Sequence, residues 1–337
     1  MPLLNIADCE RLVQRALAAS GAGAAPSNST AKALVAAEAD GHSGHGLSRV
    51  PSYAAQVRAG KVDGHALPTM HRVRTGAVRI DAAGGFAFPA LDLAVQALPG
   101  ITRECGVAVA TIYRSHHIGA AGYTAERLAR AGCVGLVFAN TPSAMPFAGG
   151  VQPMMGTNPL AFAAPVAQRA PLVIDMALAQ VARGRIVAAQ KQGVSIPADW
   201  ALDKAGQPTT DPTAALSGSL VPAGGHKGAA LALMVEILCG ALAGGHYGWE
   251  ASSFLDDRGP APAVGQVLLA IDADSLSAGT FLERMTHLLA VMSEQEDVRV
   301  PGERRLANRA RANSCGIEIN AHLHATIVAL AAGSEAG

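Results

Sequence analysis

From residue 76 onward, short apolar runs alternate with helix-period segments, and that alternation constrains the fold more than any other feature of the chain. Ala77 to Asp81, Val107 to Tyr113, Cys133 to Asn140 and Leu160 to Pro165 are brief and apolar, with Gly or Pro at their borders. Leu172 to Asp175 and Val267 to Asp272 extend the set. Segments of this length and composition predict strands. Helical patterns at 89–104 and 120–131 lie between the first three. Strands interleaved with helices imply a sheet covered by helices, hence an α/β (mixed α+β) fold.

The N-terminal part reads differently. Ile6, Cys9, Val13, Ala16 and Leu17 share one face of a helix over 6–19, which Asn5 caps and Gly21 ends. A second helix is expected after the cap region Ser27-Asn28-Ser29-Thr30, and a third over 47–59 with Gly60 as its stop. Helices are also expected at 278–293 and after the turn 301–305, and the stretch 247–263 reads as a long surface loop. The division that follows is a helical domain of residues 1–75, joined by the C-terminal helices 278–337, and a mixed-sheet domain of residues 76–277.

Charge and cysteine content narrow the function. The chain has 337 residues with 26 of each charge sign, so it lacks the basic excess that nucleic-acid binding requires. Its five cysteines are scattered and odd in number, without metal-site spacing, which predicts buried thiols in a reducing cytoplasm. The most apolar stretch, Ala229 to Ala243, is shorter than the roughly 20 residues a bilayer demands. A helix so apolar all round is expected to be buried. No membrane association is anticipated.

Chemistry is concentrated between Glu38 and Tyr53. His42 and His45 stand three apart among glycines and serines, Arg49 follows, and Tyr53 comes one helical turn later. A histidine there can exchange a proton near neutral pH, and an arginine offers a planar fork to a carboxylate. His42, His45, His116 and His117 do not make a metal site, because no carboxylate or thiolate has helix-face spacing with them. There is no Gly-x-Gly-x-x-Gly between strand and helix and no Walker sequence, so a nucleotide would need a non-Rossmann frame.

Four stretches can serve it. Ser115-His116-His117-Ile118-Gly119-Ala120-Ala121-Gly122 joins a strand to a helix; an anion cradle and a plain polar connection both explain it. Gly224-Gly225-His226-Lys227-Gly228 opens the apolar helix, where helix dipole and ammonium together suit a phosphate. Asp175-Met176-Ala177 ends a strand, and Arg299, Arg304 and Arg305 surround a tight turn that suits a ribose 2′-phosphate. Gly156-Thr157-Asn158-Pro159 adds a hydroxyl and an amide, which turn chemistry explains equally well.

Taken in order, these motifs resemble the malate/L-lactate dehydrogenase family of the non-Rossmann type, from about residue 5 to residue 330. That family includes sulfolactate dehydrogenases and the reductases of Δ1-piperideine-2-carboxylate and Δ1-pyrroline-2-carboxylate. The resemblance rests on His45-Gly46, Arg49, Tyr53, Gly60, Ser115-His116-His117, Gly156 to Pro159, Asp175 to Ala177, Gly224 to Gly228 and Pro301 to Arg305. It implies an NAD(P)-dependent oxidoreductase, NADP preferred, with a non-Rossmann cofactor fold and a homodimeric state. It further implies His45 as acid/base with Asp175 orienting it, and Arg49, Thr157 and Tyr53 at the substrate. His117, Ile118, Gly119, Ala120, Ala121, Asp175, Met176, Ala177, His226, Lys227, Gly302, Glu303, Arg304 and Arg305 would line the cofactor.

The expected reaction interconverts a 2-hydroxy acid of the malate, lactate or sulfolactate type with its 2-oxo acid. Reduction of a cyclic imine carboxylate is the alternative, and an inactive ligand-binding member a second. The family's usual Asp-Ser-His-Gly reads Ser43-Gly44-His45-Gly46 here, and Asp-Met-Ala-Thr-Ser reads Asp175-Met176-Ala177-Leu178-Ala179. The serine that joins the histidine in the imine reductases is thus Gly44. Val62-Asp63-Gly64-His65, by contrast, resembles those reductases.

Overall fold

In the computed structural model, which describes residues 1–333, a seven-stranded sheet carries the site. The chain opens with β1 (Leu3–Leu4), α1 (Ile6–Ala19) and α2 (Ala24–Ala39); two short 3-10 turns, Ser43–His45 and Leu47–Arg49, then lead into α3 (Val50–Arg58). There follow β2 (Thr69–Arg74), β3 (Ala77–Asp81), α4 (Ala87–Cys105), β4 (Val107–Ser115), α5 (Ala121–Arg130), β5 (Cys133–Ala139), β6 (Leu160–Ala164) and β7 (Leu172–Met176). Next come α6 (Arg183–Gln192), β8 (Ala201–Leu202), α7 (Pro212–Ser217), β9 (Ser219–Leu220), and α8 (His226–Glu236), prolonged by a π-helical segment Ile237–Leu242. The chain closes with β10 (Val264–Asp272), α9 (Ala273–Leu276), α10 (Phe281–Ser293), α11 (Glu303–Cys315), β11 (Ile317–Glu318) and α12 (Ala321–Ala331).

The sheet order is β2-β3-β4-β10-β5-β6-β7, with β3–β4 parallel and the other pairs antiparallel. The central strand β10 comes late in the chain. Its apolar residues pair with β4 on one side and β5 on the other, so both neighbours wait for it. The sheet begins at Thr69: β2, with its sequence TMHRVR exposed at every position, is an edge strand that carries no apolar signal. Arginines and a histidine along such an edge also discourage pairing with other chains.

Helices and sheet share one core. Leu34, Tyr53, Leu91 and Leu128 from the helices pack in the same buried cluster as Ile112, Val137 and Leu268 from the strands. The C-terminal segments are divided between the two layers. β1 pairs with β11, placing α12 against α1, whereas Phe281 and Met285 of α10 pack on Val134, Ala164 and Ala273 at the sheet. A second cluster under α6, α7 and α8 includes Ile186, Ala215 and Val235.

Three expectations from sequence need correction. Ser27-Asn28-Ser29-Thr30 is interior to α2, which starts from Gly23; Pro26 is accommodated in the first turn, where amides have no helical partner. Cys105 and Cys315 are exposed, each at the C-terminal end of a helix whose apolar face lies elsewhere. The apolar helix α8 is only half covered: Leu231, Leu233, Met234, Ile237 and Leu242 face solvent. Among the described residues no helix is long and apolar enough to cross a membrane.

Candidate active site

The His45 turn is built from the end of α2. Gly41, at φ +84°, takes the chain out of the helix, and the two 3-10 turns bring it round to α3. The Leu47 amide donates to the Glu38 carboxylate at 2.8 Å, and Arg49 Nε donates to the Gly44 carbonyl at 2.6 Å. These two bonds close the loop on itself and hold His45 and Arg49 on the same turn. His45 is half-buried, and its Nδ1 is buried without a hydrogen-bond partner. Burial, with the neighbouring Arg49 and His42, lowers its pKa to about 4, so the ring is neutral at pH 7.

His45 lies against His117, ring centroids 5.2 Å apart and planes 22° from parallel. Behind His117 is Tyr53, whose hydroxyl is 2.7 Å from His117 Nδ1. Tyr53 was expected at the substrate; with no exposed surface it stands behind the histidine instead, because α3 turns its apolar face, Tyr53 included, into the core. His116 is buried beside it, with Nε2 2.9 Å from Gln56 Oε1 and the rings of Tyr53, Phe86 and Phe254 around it. Burial, with nearby Lys61 and Arg49, lowers the His116 pKa to about 3; His117 is likewise driven well below its ordinary value, chiefly by burial.

Phe254 belongs to the stretch read as a surface loop, and that loop is pinned. Gln56 Nε2 donates to the Phe254 carbonyl, and the ammonium of buried Lys61 donates to the carbonyls of Ser253, Asp256 and Arg258 at 2.7, 3.0 and 2.7 Å. A buried ammonium satisfied by three carbonyls is a strong anchor. The loop thereby becomes a wall of the site.

Asp175 ends β7. Its side chain is open to solvent yet surrounded by protein, the signature of a cleft floor: burial raises its pKa, opposed by the Gly122 amide, His42 and Arg305. Its Oδ2 accepts the Gly122 N–H at 2.8 Å. That bond has two consequences. The first turn of α5 spends one amide, that of Gly122, on a protein carboxylate. And Asp175 does not hydrogen-bond His45, whose Nδ1 stays free.

A backbone seam joins the remaining motifs. Leu178 N donates to the Thr157 carbonyl, and Ala223 N donates to the Leu178 carbonyl, each bond closing the gap between segments distant in sequence. Thr157 therefore stands beside the end of β7, and both stand beside the N-terminus of α8. Asn158, at φ +41°, is held from below: its Nδ2 donates to the Ala232 carbonyl and to Glu236 Oε2 at 2.7 Å. Glu236 is fully buried and also accepts from Asn140 and the Gly248 amide. One carboxylate thus locks the Thr157 turn, α8 and the start of the 247–263 loop together.

These residues fit a dinucleotide. Gly224 and Gly225 have positive φ, α8 has no side-chain cap, and His226 and Lys227 at its start are exposed, so free amides and a cation await an anion beside the cleft. Arg304 is exposed on the opposite turn. Arg305 faces inward: its Nη1 pairs with Glu126 and with Asp40 at 3.2 Å, while its Nε and Nη2 are buried without a partner. Arg309 bridges the same two acids, with bonds of 2.6 to 2.8 Å. Both acids are buried, and a buried carboxylate captures the nearest guanidinium. Met176 and Ala177 are exposed along the cleft, while Ile118 and Ala121 are buried. Among the described residues no group of three His, Cys, Asp or Glu side chains is placed to hold a metal ion.

Sequence reading missed the supporting residues: Glu38, Gln56, Lys61, Glu126 and Phe254. Each acts through a partner remote in sequence, save Glu38, and none sits in a motif. Glu236, a lone carboxylate in an apolar helix, was the one visible clue.

The chain matches the malate/L-lactate dehydrogenase family over residues 4–328. A (2R)-3-sulfolactate dehydrogenase (NADP(+)) of Chromohalobacter salexigens is 48% identical over 307 residues, 91% of this chain and 92% of that protein. A Δ1-pyrroline-2-carboxylate/Δ1-piperideine-2-carboxylate reductase of Pseudomonas putida is 38% identical over 313 residues, 93% of this chain and 92% of that one. The crystal structure of Δ1-piperideine-2-carboxylate reductase from Pseudomonas syringae pvar. tomato superposes with a TM-score of 0.92 at 35% identity, covering 98% of this chain and 100% of the other.

Proposed function

The chain belongs to the malate/L-lactate dehydrogenase family, and on that premise we propose that it is an NADP-dependent dehydrogenase interconverting a small 2-hydroxy acid and its 2-oxo acid. Sulfolactate, the substrate in the name of the 48% identical relative, is the first acid to test, followed by malate and lactate. The observation that carries the reading is His45: a neutral imidazole at the cleft, held on one turn with Arg49.

In the oxidation direction Arg49 holds the substrate carboxylate and the Thr157 hydroxyl stands nearby. When bound, NADP+ accepts the hydride from the hydroxyl-bearing carbon. His45 takes the hydroxyl proton as that carbon becomes a carbonyl, so one proton and one hydride leave the substrate. In reduction the protonated ring returns that proton and stabilises the developing oxyanion. Asp175 faces the same cleft, held there by the Gly122 amide. His226, Lys227 and Arg304 would hold the phosphates of the cofactor.

The exposed face of α8 supports a homodimer. Apart from buried Glu236, residues 228–242 carry no charge, and Leu231, Met234, Ile237 and Leu242 are 43%, 57%, 52% and 60% exposed. An uncharged apolar stripe is best covered by its own copy across a two-fold axis. The free thiols fit a reducing cytoplasm, the compartment we propose.

A second reading, reduction of a cyclic imine carboxylate, is favoured by the solved reductase that shares the whole fold. Purified protein assayed with NADPH against sulfopyruvate, oxaloacetate, pyruvate and Δ1-piperideine-2-carboxylate separates the two. Turnover of an oxo acid, lost in His45→Ala, is the expected result. Turnover of the imine alone would overturn the first reading.

A further inference from the structure

The wall behind His45 has a definite order: His45 stacks on His117, and His117 Nδ1 meets the Tyr53 hydroxyl at 2.7 Å. Tyr53 is fully buried and its hydroxyl has no other partner. A phenol carries one proton and must give it to an acceptor, so Tyr53 donates and His117 Nδ1 accepts. The neutral His117 ring then carries its proton on Nε2. We infer that Tyr53 is a positioning residue for His45: by occupying Nδ1 it fixes the His117 tautomer and closes the nitrogen through which His117 would compete for the transferred proton.

The inference rests on the dehydrogenase reading and says what keeps its acid/base group singular. Two stacked imidazoles at 5.2 Å form a coupled pair, and a proton entering the pair can reside on either ring. A second proton is disfavoured by repulsion. The groups facing the pair are Arg49 and His42 beside His45, and Arg49, His116 and Tyr53 beside His117. No carboxylate is among them, so nothing compensates a cation on His117. Burial raises the Tyr53 pKa, which keeps the phenol protonated and in its donating role. His45, half-buried at the cleft, is therefore the ring that protonates, and it is also the one beside Arg49 that substrate can reach. Without the Tyr53 hydroxyl, His117 Nδ1 is open, and a proton parked there leaves His45 neutral beside a cation and a poor base.

Tyr53→Phe keeps the ring among Phe86, His116 and His117 and removes only the hydroxyl. The test has two readouts. Nitrogen-15 NMR of histidine-labelled protein without cofactor, with His117 assigned by its loss in His117→Asn, should give the Nε2–H tautomer in the parent. A mixture, with His117 titrating at higher pH, is expected in Tyr53→Phe. In steady-state oxidation of the hydroxy acid, the acid limb of kcat/KM should move up by about half a pH unit or more. On that limb, at about pH 4 and below, kcat should fall roughly threefold, with KM within about twofold. A merely structural tyrosine would lower Tm and leave both tautomer and pH profile unchanged, which overturns the inference. Should Tyr53→Phe not fold, an Nδ1–H tautomer for His117 in the parent does the same. If the parent turns over no hydroxy acid, the functional reading fails, while the tautomer measurement still decides the role of Tyr53.

Discussion

The Leu47 amide donates to Glu38 across nine residues of chain at 2.8 Å, and Gly46 between them lies flat against the Glu38 side chain. The backbone that carries His45 is thus clamped to the end of α2 by one carboxylate and one missing side chain. A Cβ on Gly46 would stand 3.0 Å from both Cα and Cβ of Glu38 and closer still to its carboxylate. Gly46→Ala should therefore cost about 1–3 kcal/mol and displace the turn. Glu38→Gln keeps an acceptor for the amide and should cost less. Thermal denaturation with kcat/KM for the hydroxy acid checks the pair, and equal, negligible effects would deny the clamp.

Acid should unfold the protein in two stages. The folded pKa of His45 is about 4 and that of His116 about 3, against 6.5 in the unfolded chain. Between those values the unfolded state binds more protons, so stability is complete above pH 6.5 and is lost as pH falls. Each fully buried histidine, His116 and His117, contributes up to about 1.4 kcal/mol per pH unit across its window. For Glu126, burial opposes ionisation but Arg309, Arg305 and Arg130 outweigh it and hold its pKa at about 2. Its stabilisation is present above pH 4.5 and lost towards pH 2. Tm measured from pH 8 to pH 3 should be flat, then fall from about 6.5, and His116→Gln should flatten the upper part of that fall.

The two neighbouring arginines of α11 should separate cleanly. Arg305 is anchored to Glu126 and Asp40, whose side chains are 3% and 5% exposed, whereas Arg304 faces solvent. Arg305→Ala leaves buried carboxylates short of a partner and should cost roughly 3–5 kcal/mol. Arg304→Ala should leave Tm within a degree or so and raise KM for NADPH, by roughly tenfold, more than KM for NADH. A rise in NADPH KM from Arg305→Ala in a protein of unchanged Tm would return Arg305 to the cofactor.

What the sequence made legible is what repeats locally. Strands β3 to β7 and β10 were found because apolar runs between Gly and Pro are self-announcing, and α1 because its cap and its stripe agree. Strand β2 was not, since an exposed edge has no apolar alternation to read. The small elements around α6 and α7 were missed for a related reason: their core depends on α8, which follows them in the chain. At the site, His45, Arg49 and Lys227 stood out by type and turn context. The place of Tyr53 behind His117 is not legible in the same way, because a spacing of one helical turn from Arg49 says nothing about which face of α3 the core will claim. Glu236 could be seen only as an oddity, an acid in an apolar helix, and Lys61 not at all. Their meaning depends on loops that arrive from elsewhere in the chain.

The uncovered α8 face predicts its own disruption. Met234 and Ile237 lie one turn apart on the exposed side, 57% and 52% accessible. Ile237→Glu places a charge at the middle of the stripe, where pairing two copies would bring two carboxylates together at a cost of several kcal/mol. Sedimentation should give a dimer for the parent and a monomer for the variant, with the variant's fold retained because the residue contacts solvent in the isolated chain. A monomeric parent would reject the dimer outright.

Gly44 decides how close this site is to an imine reductase. No heavy atom lies within 4 Å of where its Cβ would stand, and its φ is not in the left-handed region, so Gly44→Ser is sterically free. The main-chain carbonyl that binds Arg49 Nε is untouched by the change. Stability should shift by no more than about 0.5 kcal/mol. The new hydroxyl precedes His45 directly and supplies a proton relay that a ring nitrogen can use and a carbonyl, served by His45 alone, does not need. The ratio of kcat/KM for Δ1-piperideine-2-carboxylate to that for the oxo acid should therefore rise in Gly44→Ser, through the imine value. If the ratio stays where it was in a variant of parental Tm, the absent serine does not set substrate class. The distinction would then lie in what surrounds the substrate beyond Arg49, with the Phe254 wall and the Thr157 turn as the next places to change.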